Sequence, residues 1–497
     1  MFKHAQLESV KAWIGDPAQN ALPLYTRIQR GIRQLILDGT LDVGKPLPAS
    51  RALAKSLNVS RDTIESAYSQ LHAEGFIERR VGSGSFISER VHRLPRRQSV
   101  QQTKLSDEVR PLSRRGSTMF QGGGLRDFLA PRPFAPGIPE TRNFPLQTWE
   151  RLERQVLKEY GTKALTHSDP QGLEPLRRAI ADYVNLERGA HATPERIVVL
   201  TSSQQAMTLC ANVLLDPGDS IFIEDPVYQG ARKAFDAAGL TCVPVPLDTN
   251  GLLVEHLENA AKTSGNSAKA VYLTPSHQFP TGATLALDRR LAIIEWARQY
   301  QSWIIEDDYD SEFHYEGKPT ACVQGLDPYD RTIYIGTFTK SLFPALRIGY
   351  MILPSKLVVP MTVARTLLDG HSAAIPQLTL ARFIEGGHFG AHIRIMRAVY
   401  AERRDTLAEL IHKHLGEFVT SYVPAGGMQM PCLLNKNISE KKLVDSAKKA
   451  GVDLLGLSSL HASEPLKAGF LMGFAAHAPH EMEVAIKKLA GIMRALS

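Results

Sequence analysis

Residues 332–350 read TIYIGTFTKSLFPALRIGY. The apolar run TIYIG fits a short buried strand, and a polar turn carrying Lys340 follows it, with Arg347 seven residues further on. A lysine in a dry pocket near cations becomes a usable nucleophile toward an aldehyde, and arginine suits phosphate. Four other apolar runs share this arrangement: IVVL (197–200), IFI (221–223), AVYL (270–273) and WII (303–305) each end in polar or Gly/Pro-rich chemistry. Short strands alternating with helical stretches predict an α/β fold with a doubly wound parallel sheet over residues 126–497. In such sheets ligands gather at the carboxyl ends of the strands, so five strand ends converge on one site.

What stands at those ends differs from strand to strand. After IVVL, Ser202, Ser203 and Gln204 open a helix whose N–H groups and dipole can hold a dianion such as phosphate. After IFI, Tyr228 sits on a turn where its ring can stack on a planar cofactor, and after AVYL the loop TPSHQFPTG carries His277, able to meet a ring hydroxyl. After WII comes EDDYDSEF, with Asp307 at the strand end and Tyr309 two residues on. A buried carboxylate there can hold a protonated pyridine nitrogen, although an acidic run can also bind metal or simply be solvated. Each feature alone has an ordinary reading: a serine cap, a packing tyrosine, a surface lysine. A phosphate cradle, a strand-end Asp-x-Tyr, a lysine and a following arginine in this chain order ask for pyridoxal 5′-phosphate (PLP).

The front of the chain is built differently. From Pro23, Leu24, Ile28, Ile32, Leu35 and Ile36 repeat at helical spacing up to Gly39. Two short helical patterns follow LDVGKPLP, one from Ser50 and one capped by Ser60, with Asn58 and Val59 forming a tight turn between them. Such a pair is a helix-turn-helix, whose second helix offers its first side chains, here Ser60, Arg61 and Thr63, to base edges of double-stranded DNA. GFIERRVGSGSFIS (75–88) then turns back as a two-stranded wing with Gly82 and Gly84 at its tip. Residues 1–120 hold 19 Lys+Arg against 11 Asp+Glu, so the formal charge of +7 resides at the front, as suits a nucleic-acid reader. Residues 89–125 are rich in arginine and poor in apolar residues, which predicts a flexible basic tether between domains 1–88 and 126–497.

No stretch of about 18 apolar residues occurs and the N-terminus has no apolar signal core, so a cytoplasmic protein without membrane insertion is expected. Cys210, Cys242, Cys322 and Cys432 lack paired spacing, which disfavours disulfides and a zinc site. No metal is expected.

Residues 23–88 resemble the GntR class of winged-helix regulators, in the segments Pro-Leu-Tyr, Leu-Pro-x-Ser-Arg, Val-Ser-Arg-x-Thr, Ala-Tyr, Glu-Gly and Gly-x-Gly-x-Phe. Ala49 stands where that class often has a serine. The resemblance implies DNA contacts from Arg51, Arg61, Thr63 and Gly84. Residues 126–497, with DPQGLEPLR, EDPVYQGAR, TPSHQFPTG, EDDYDSEF and GTFTKSLFPALRIGY, resemble the type I aminotransferase-like domain of the MocR/GabR subfamily of those regulators. That resemblance implies a covalent PLP link at Lys340, a pyridine-nitrogen partner at Asp307, a ring-hydroxyl partner at Tyr309 and stacking by Tyr228. It also implies phosphate contacts from Ser202, Ser203, Gln204 and Arg347, and a head-to-tail homodimer.

The chain departs from the resemblance at the substrate end. Leu471 in FLMGFA replaces the arginine that holds a substrate carboxylate, Gly230 replaces an arginine of the GABA-responsive members, His167 replaces a tyrosine and Gln429 a histidine. Losing a bidentate carboxylate anchor weakens amino-acid binding and leaves PLP binding untouched. The expected function is a PLP-binding transcription regulator that senses PLP and controls vitamin B6 genes. Two alternatives stand beside it: a regulator sensing an amino compound of the GABA or taurine type, and a true aminotransferase.

Overall fold

The protein is described by a computed structural model over residues 2–14, 22–80, 83–93, 112–123, 132–263, 268–317, 320–463 and 468–497. It divides into two units, residues 1–111 and 112–497.

In the first unit, helices α1 (Phe2–Ile14), α2 (Leu24–Leu37), α3 (Ser50–Leu57) and α4 (Arg61–Ala73) precede the antiparallel hairpin β1 (Ile77–Arg80) and β2 (Gly84–Ile87). The apolar faces read from the sequence close on one core of Ile28, Ile32, Ile36, Leu53, Ile64, Leu71 and Ile77. Asn58 takes the left-handed conformation (φ 53°) that turns α3 into α4, a region asparagine tolerates better than most residues. Helix α1 was not anticipated: Val10 and Ile14 enter the core, and Trp13 covers Gly31, where a β-carbon would lie 2.6 Å from the indole. The expected wing tip residue Gly82 lies outside the described residues.

The second unit holds an eight-stranded sheet in the order β3 (Ile197–Leu200), β10 (Gly349–Ile352), β9 (Thr332–Thr337), β8 (Trp303–Asp308), β7 (Ala270–Leu273), β4 (Ser220–Asp225), β5 (Thr241–Asp248), β6 (Gly251–Leu252). The five strands read from the sequence are β3, β4, β7, β8 and β9. The parallel expectation needs one correction, because β10 runs antiparallel between β3 and β9 and β6 antiparallel at the edge. Alternation along each strand sends neighbours to opposite faces. Val198, Leu200, Ala270, Tyr272, Ile305, Ile333 and Met351 form one core, while Ile197, Val199, Tyr334 and Tyr350 join a second and Val271, Leu273 and Ile304 a third. A separate antiparallel sheet, β11 (Val419–Ser421), β12 (Gln429–Leu434), β14 (Gly469–Gly473) and β13 (Leu455–Gly456), forms near the C-terminus.

The tether expectation is also modified. Glu89–Arg93 is a 3₁₀ turn, and Arg114–Gln121 is a helix, α5, whose Ser113 accepts a cap hydrogen bond from Gly116 N at 3.0 Å. It packs on the helix Gln229–Ala238, so part of the predicted tether belongs to the second unit. The basic residues Arg96, Arg97, Lys104 and Arg110 lie outside the described residues.

Candidate functional site

Strand β8 ends in three consecutive carboxylates, and alternation gives each a different environment. Glu306 accepts the N–H groups of Val323 and Gln324, both at 2.9 Å. Asp308 Oδ2 accepts from Arg188 Nε at 2.9 Å, Ser311 Oγ at 2.8 Å and Tyr334 Oη at 2.6 Å. Burial opposes its charge, yet Arg188 and the two hydroxyls hold it below the ordinary aspartate range. Asp307 faces the other way. Its Oδ2 accepts from Tyr272 Oη at 2.7 Å, while its Oδ1 is buried without a hydrogen-bond partner, and the cation whose charge acts on it is Lys340. Burial pushes its pKa up to about 7. A buried carboxylate with one unanswered oxygen suits a protonated ring nitrogen, whose positive charge would supply the missing donor.

The turn after β9 carries Lys340 toward a second segment of chain, where its Nζ donates to the Gly137 carbonyl at 2.6 Å. Gly137 has a positive φ of 68°, and a β-carbon there would lie 3.1 Å from Nζ and 4.0 Å from Gln429 Oε1. Lys340 and Gln429 therefore share one corner.

Tyr228 ends the loop after β4 and begins α9 (Gln229–Ala238), and its ring meets Phe279 edge to face at 5.5 Å. Phe279 meets Tyr309 at 6.2 Å, so three rings line one side. A β-carbon on Gly230 would collide with the Tyr228 ring and the Gln204 amide oxygen, which explains physically why no arginine can project there without displacing the ring.

Ser202 caps α8 (Ser203–Leu214), accepting from Gln205 N at 3.2 Å. Helix geometry leaves the N–H groups of Ser203 and Gln204 without intrahelical acceptors, so the anion-holding capacity rests on backbone more than on the Ser202 hydroxyl. Gln204 Nε2 donates to Gly230 O at 2.9 Å and leaves its Oε1 buried and unpaired. Arg347 stands at a left-handed turn (φ 53°), exposed. Its guanidinium has no partner among the described residues.

His277 is placed differently from expectation. Its Nδ1 pairs with Asp310 Oδ1 at 2.9 Å and its ring abuts Gly426, whereas Tyr309 Oη donates to its backbone carbonyl at 2.9 Å. The histidine side chain braces the loop, and the tyrosine oxygen remains able to accept. Sequence reasoning missed the network that holds these loops. Buried Glu224, whose pKa burial pushes up to about 7, accepts from Thr274 Oγ1 at 2.7 Å and from Gln278 Nε2 at 3.3 Å. Gln278 Nε2 also donates to Pro226 O at 2.8 Å, tying the Tyr228 loop to the 274–282 loop. The signal available was a glutamate ending the apolar run before Asp225-Pro226.

The second sheet supplies a wall. Leu471 is fully buried and packs with Leu457, Leu460, Leu433, Leu455 and Phe279. His167, another of the four departures, lies outside this wall, its Nδ1 3.2 Å from His371 Nε2. All four cysteines are free thiols, and no group of three or more metal-ligating side chains gathers among the described residues.

In the first unit, Ser60 is spent as the α4 cap, accepting from Thr63 N at 3.1 Å, with Thr63 Oγ1 2.7 Å from Ser60 Oγ. Arg61 is exposed, 4.0 Å from Glu65. Arg51 is exposed and pairs with no described residue. Tyr68 Oη donates to Pro48 O at 2.8 Å, fixing α4 against the loop before α3. At the wing, Gly84 has φ 99°, a conformation that strains any other residue, and Arg80 lies 4.5 Å over the Phe86 ring.

Comparison with known proteins agrees with this division. Residues 24–87 match the family of bacterial regulatory proteins, gntR family, and residues 139–489 match aminotransferase class I and II. The chain is 32% identical to the probable rhizopine catabolism regulatory protein MocR of Rhizobium meliloti, over 96% of this chain and 94% of that one. It is 31% identical to the pyridoxine biosynthesis transcriptional regulator PdxR of Corynebacterium glutamicum, over 91% and 92%. Among solved structures, the kynurenine aminotransferase of Pyrococcus horikoshii, in complex with PMP, has a TM-score of 0.71 at 29% identity, covering 79% of this chain and 98% of that one.

Proposed function

The chain belongs to the MocR-like subfamily of GntR regulators, joining a GntR helix-turn-helix to an aminotransferase class I and II domain, and from that premise we propose that it senses PLP and controls genes of vitamin B6 supply. The observation that carries the cofactor is Asp307 at the end of β8, buried with an unpaired Oδ1 and, unlike Asp308 with its Arg188 and Asp310 with its His277, without an arginine or histidine partner among the described residues. Lys340 would hold the cofactor covalently, Asp307 its ring nitrogen, Tyr309 its ring hydroxyl and Tyr228 its face. The first turn of α8, through Ser202, Ser203 and Gln204, and Arg347 would take the phosphate. Bound PLP supplies an aldehyde and an electron-withdrawing ring. The chain's own residues supply a neutralising carboxylate, three neighbouring half-buried rings and a nucleophile fixed by the Gly137 carbonyl.

PLP changes operator affinity only by binding two arrangements of the regulator unequally. Arg51, Arg61, Thr63 and Gly84 would meet DNA, with Ser60 at the start of α4 beside Arg61 and Thr63. A homodimer, head-to-tail by the family resemblance, would bury the apolar stripe of helix Val358–Asp369, whose Val359, Val363 and Leu367 are 70%, 58% and 83% exposed at one-turn intervals. No helix of the described residues is long and apolar enough to cross a membrane, and we place the protein in the cytoplasm. The reading as a regulator rather than a transaminase rests on the apolar Leu471 wall. The deciding experiment measures affinity for the chain's own upstream DNA with and without PLP, for wild type and Lys340→Ala. PLP is expected to change binding in wild type alone; no response in either would make PLP a fixed group and an amino compound the signal.

A further inference from the structure

The face that the C-terminal sheet turns toward Phe279 contains, by strand alternation, Gln429, Pro431 and Leu433 of β12 and Leu471 of β14, since Pro431 pairs with Leu471 and Gln429 with Gly473. The opposite face, with Met430, Cys432, Phe470 and Met472, belongs to the main core. On the Phe279 side the surface is apolar except at Gln429. That side chain is 6% exposed, shares the Gly137 corner with Lys340, and has an Oε1 with no hydrogen-bond partner.

Apart from Lys340, three arginines of this unit that could answer an anion are already paired. Arg142 and Arg403 both close on Glu140, each reaching Oε2, at 2.7 and 2.8 Å, and Arg188 closes on Asp308. An anionic group brought here would lose hydration beside a wall of Leu433, Leu455, Leu457, Leu460, Leu471 and Phe279, none of which carries a cation. An uncharged group able to donate would find Gln429 Oε1.

We propose that the space beside Lys340 accepts a primary amine whose far end is uncharged, with Gln429 as the specificity residue that reads its polar group and the Leu471 wall excluding carboxylates and sulfonates. This rests on the cofactor reading above and adds a second input, because such an amine would replace Lys340 on the aldehyde carbon, its C=N bond forming as the one to Lys340 breaks and Lys340 leaves as the free amine.

The full-length protein loaded with PLP is titrated with 4-aminobutyramide, 4-aminobutyrate and propylamine while the cofactor absorbance is followed, and operator affinity is measured at each endpoint. The amide is expected to perturb the spectrum at a concentration about tenfold lower than the acid. Gln429→Leu is expected to weaken the amide about three- to tenfold and leave propylamine unchanged, the scale of one neutral hydrogen bond. Gln429→Glu, close in shape, keeps the amide and rejects the acid further. An acid that binds as tightly as its amide, or a Gln429→Leu effect equal for the amide and propylamine, overturns the proposal. A wild-type protein with no cofactor absorbance refutes the cofactor reading instead.

Discussion

Replacing Asp307 by Asn separates what this carboxylate costs the fold from what it gives the site. Burial carries its pKa from 3.8 to about 7 in the cofactor-free chain. A group whose folded pKa is raised destabilises the fold as pH rises: the cost begins above 3.8, where the unfolded chain ionises, and is complete above 7. At 1.36 kcal/mol per pH unit that cost is on the order of 4 kcal/mol, an upper figure because Asn must bury its own amide. Asp307→Asn should therefore melt higher than wild type at pH 8 without PLP, with the difference disappearing below pH 4. The same change removes a charge-assisted hydrogen bond to the ring nitrogen, about 1.5–3 kcal/mol, or roughly a 10- to 150-fold loss in PLP affinity by absorbance titration. Asp308→Asn should behave in the opposite way. It strands the buried Arg188 guanidinium and costs about 3–5 kcal/mol of stability. A variant Asp307→Asn that binds PLP within twofold of wild type, with no pH-dependent gain in melting temperature, refutes the assignment of the unpaired oxygen.

Gly230→Ala forces a methyl into the Tyr228 ring; a loss of about 1–3 kcal/mol in thermal stability and a weaker PLP titration are expected. Ser60→Ala removes the α4 cap and should cost the first unit about 1 kcal/mol in denaturant titration. Arg51→Ala leaves the fold intact because its side chain pairs with no described residue, and it should lower operator affinity and reduce the salt slope by about 1 in binding measured across ionic strength.

Much of the large unit was legible because its buried strands are short apolar runs of β-forming residues with chemistry at their ends; IVVL, AVYL and TIYIG needed no further signal. β10 was not separable, since GYMI reads like any other buried strand and nothing local records its direction. Helix α1 was overlooked although Val10, Trp13 and Ile14 have helical spacing, and α5 offers no buried side chain to betray it. Within the site, the choice of Asp307 over Asp308 came from resemblance. The physical reason is Arg188, which lies 120 residues away in the chain and so is invisible to local reading. His277 and Ser60 were placed by residue type, and their side chains turned out to be occupied by Asp310 and by the cap.

The three carboxylates closing β8 also bear on how the sequence can drift. Their roles depend on parity alone, because each step along the strand changes the face. A single-residue deletion within 303–308 would turn Glu306 or Asp308 toward Tyr272 and send Asp307 to the arginine, damaging cofactor site and core at once. A compensating one-residue insertion on the other side of the strand would not restore the pairing with β7 and β9, since both register partners would still be out of step. This strand should therefore tolerate substitutions at its apolar positions far more readily than any change in its length.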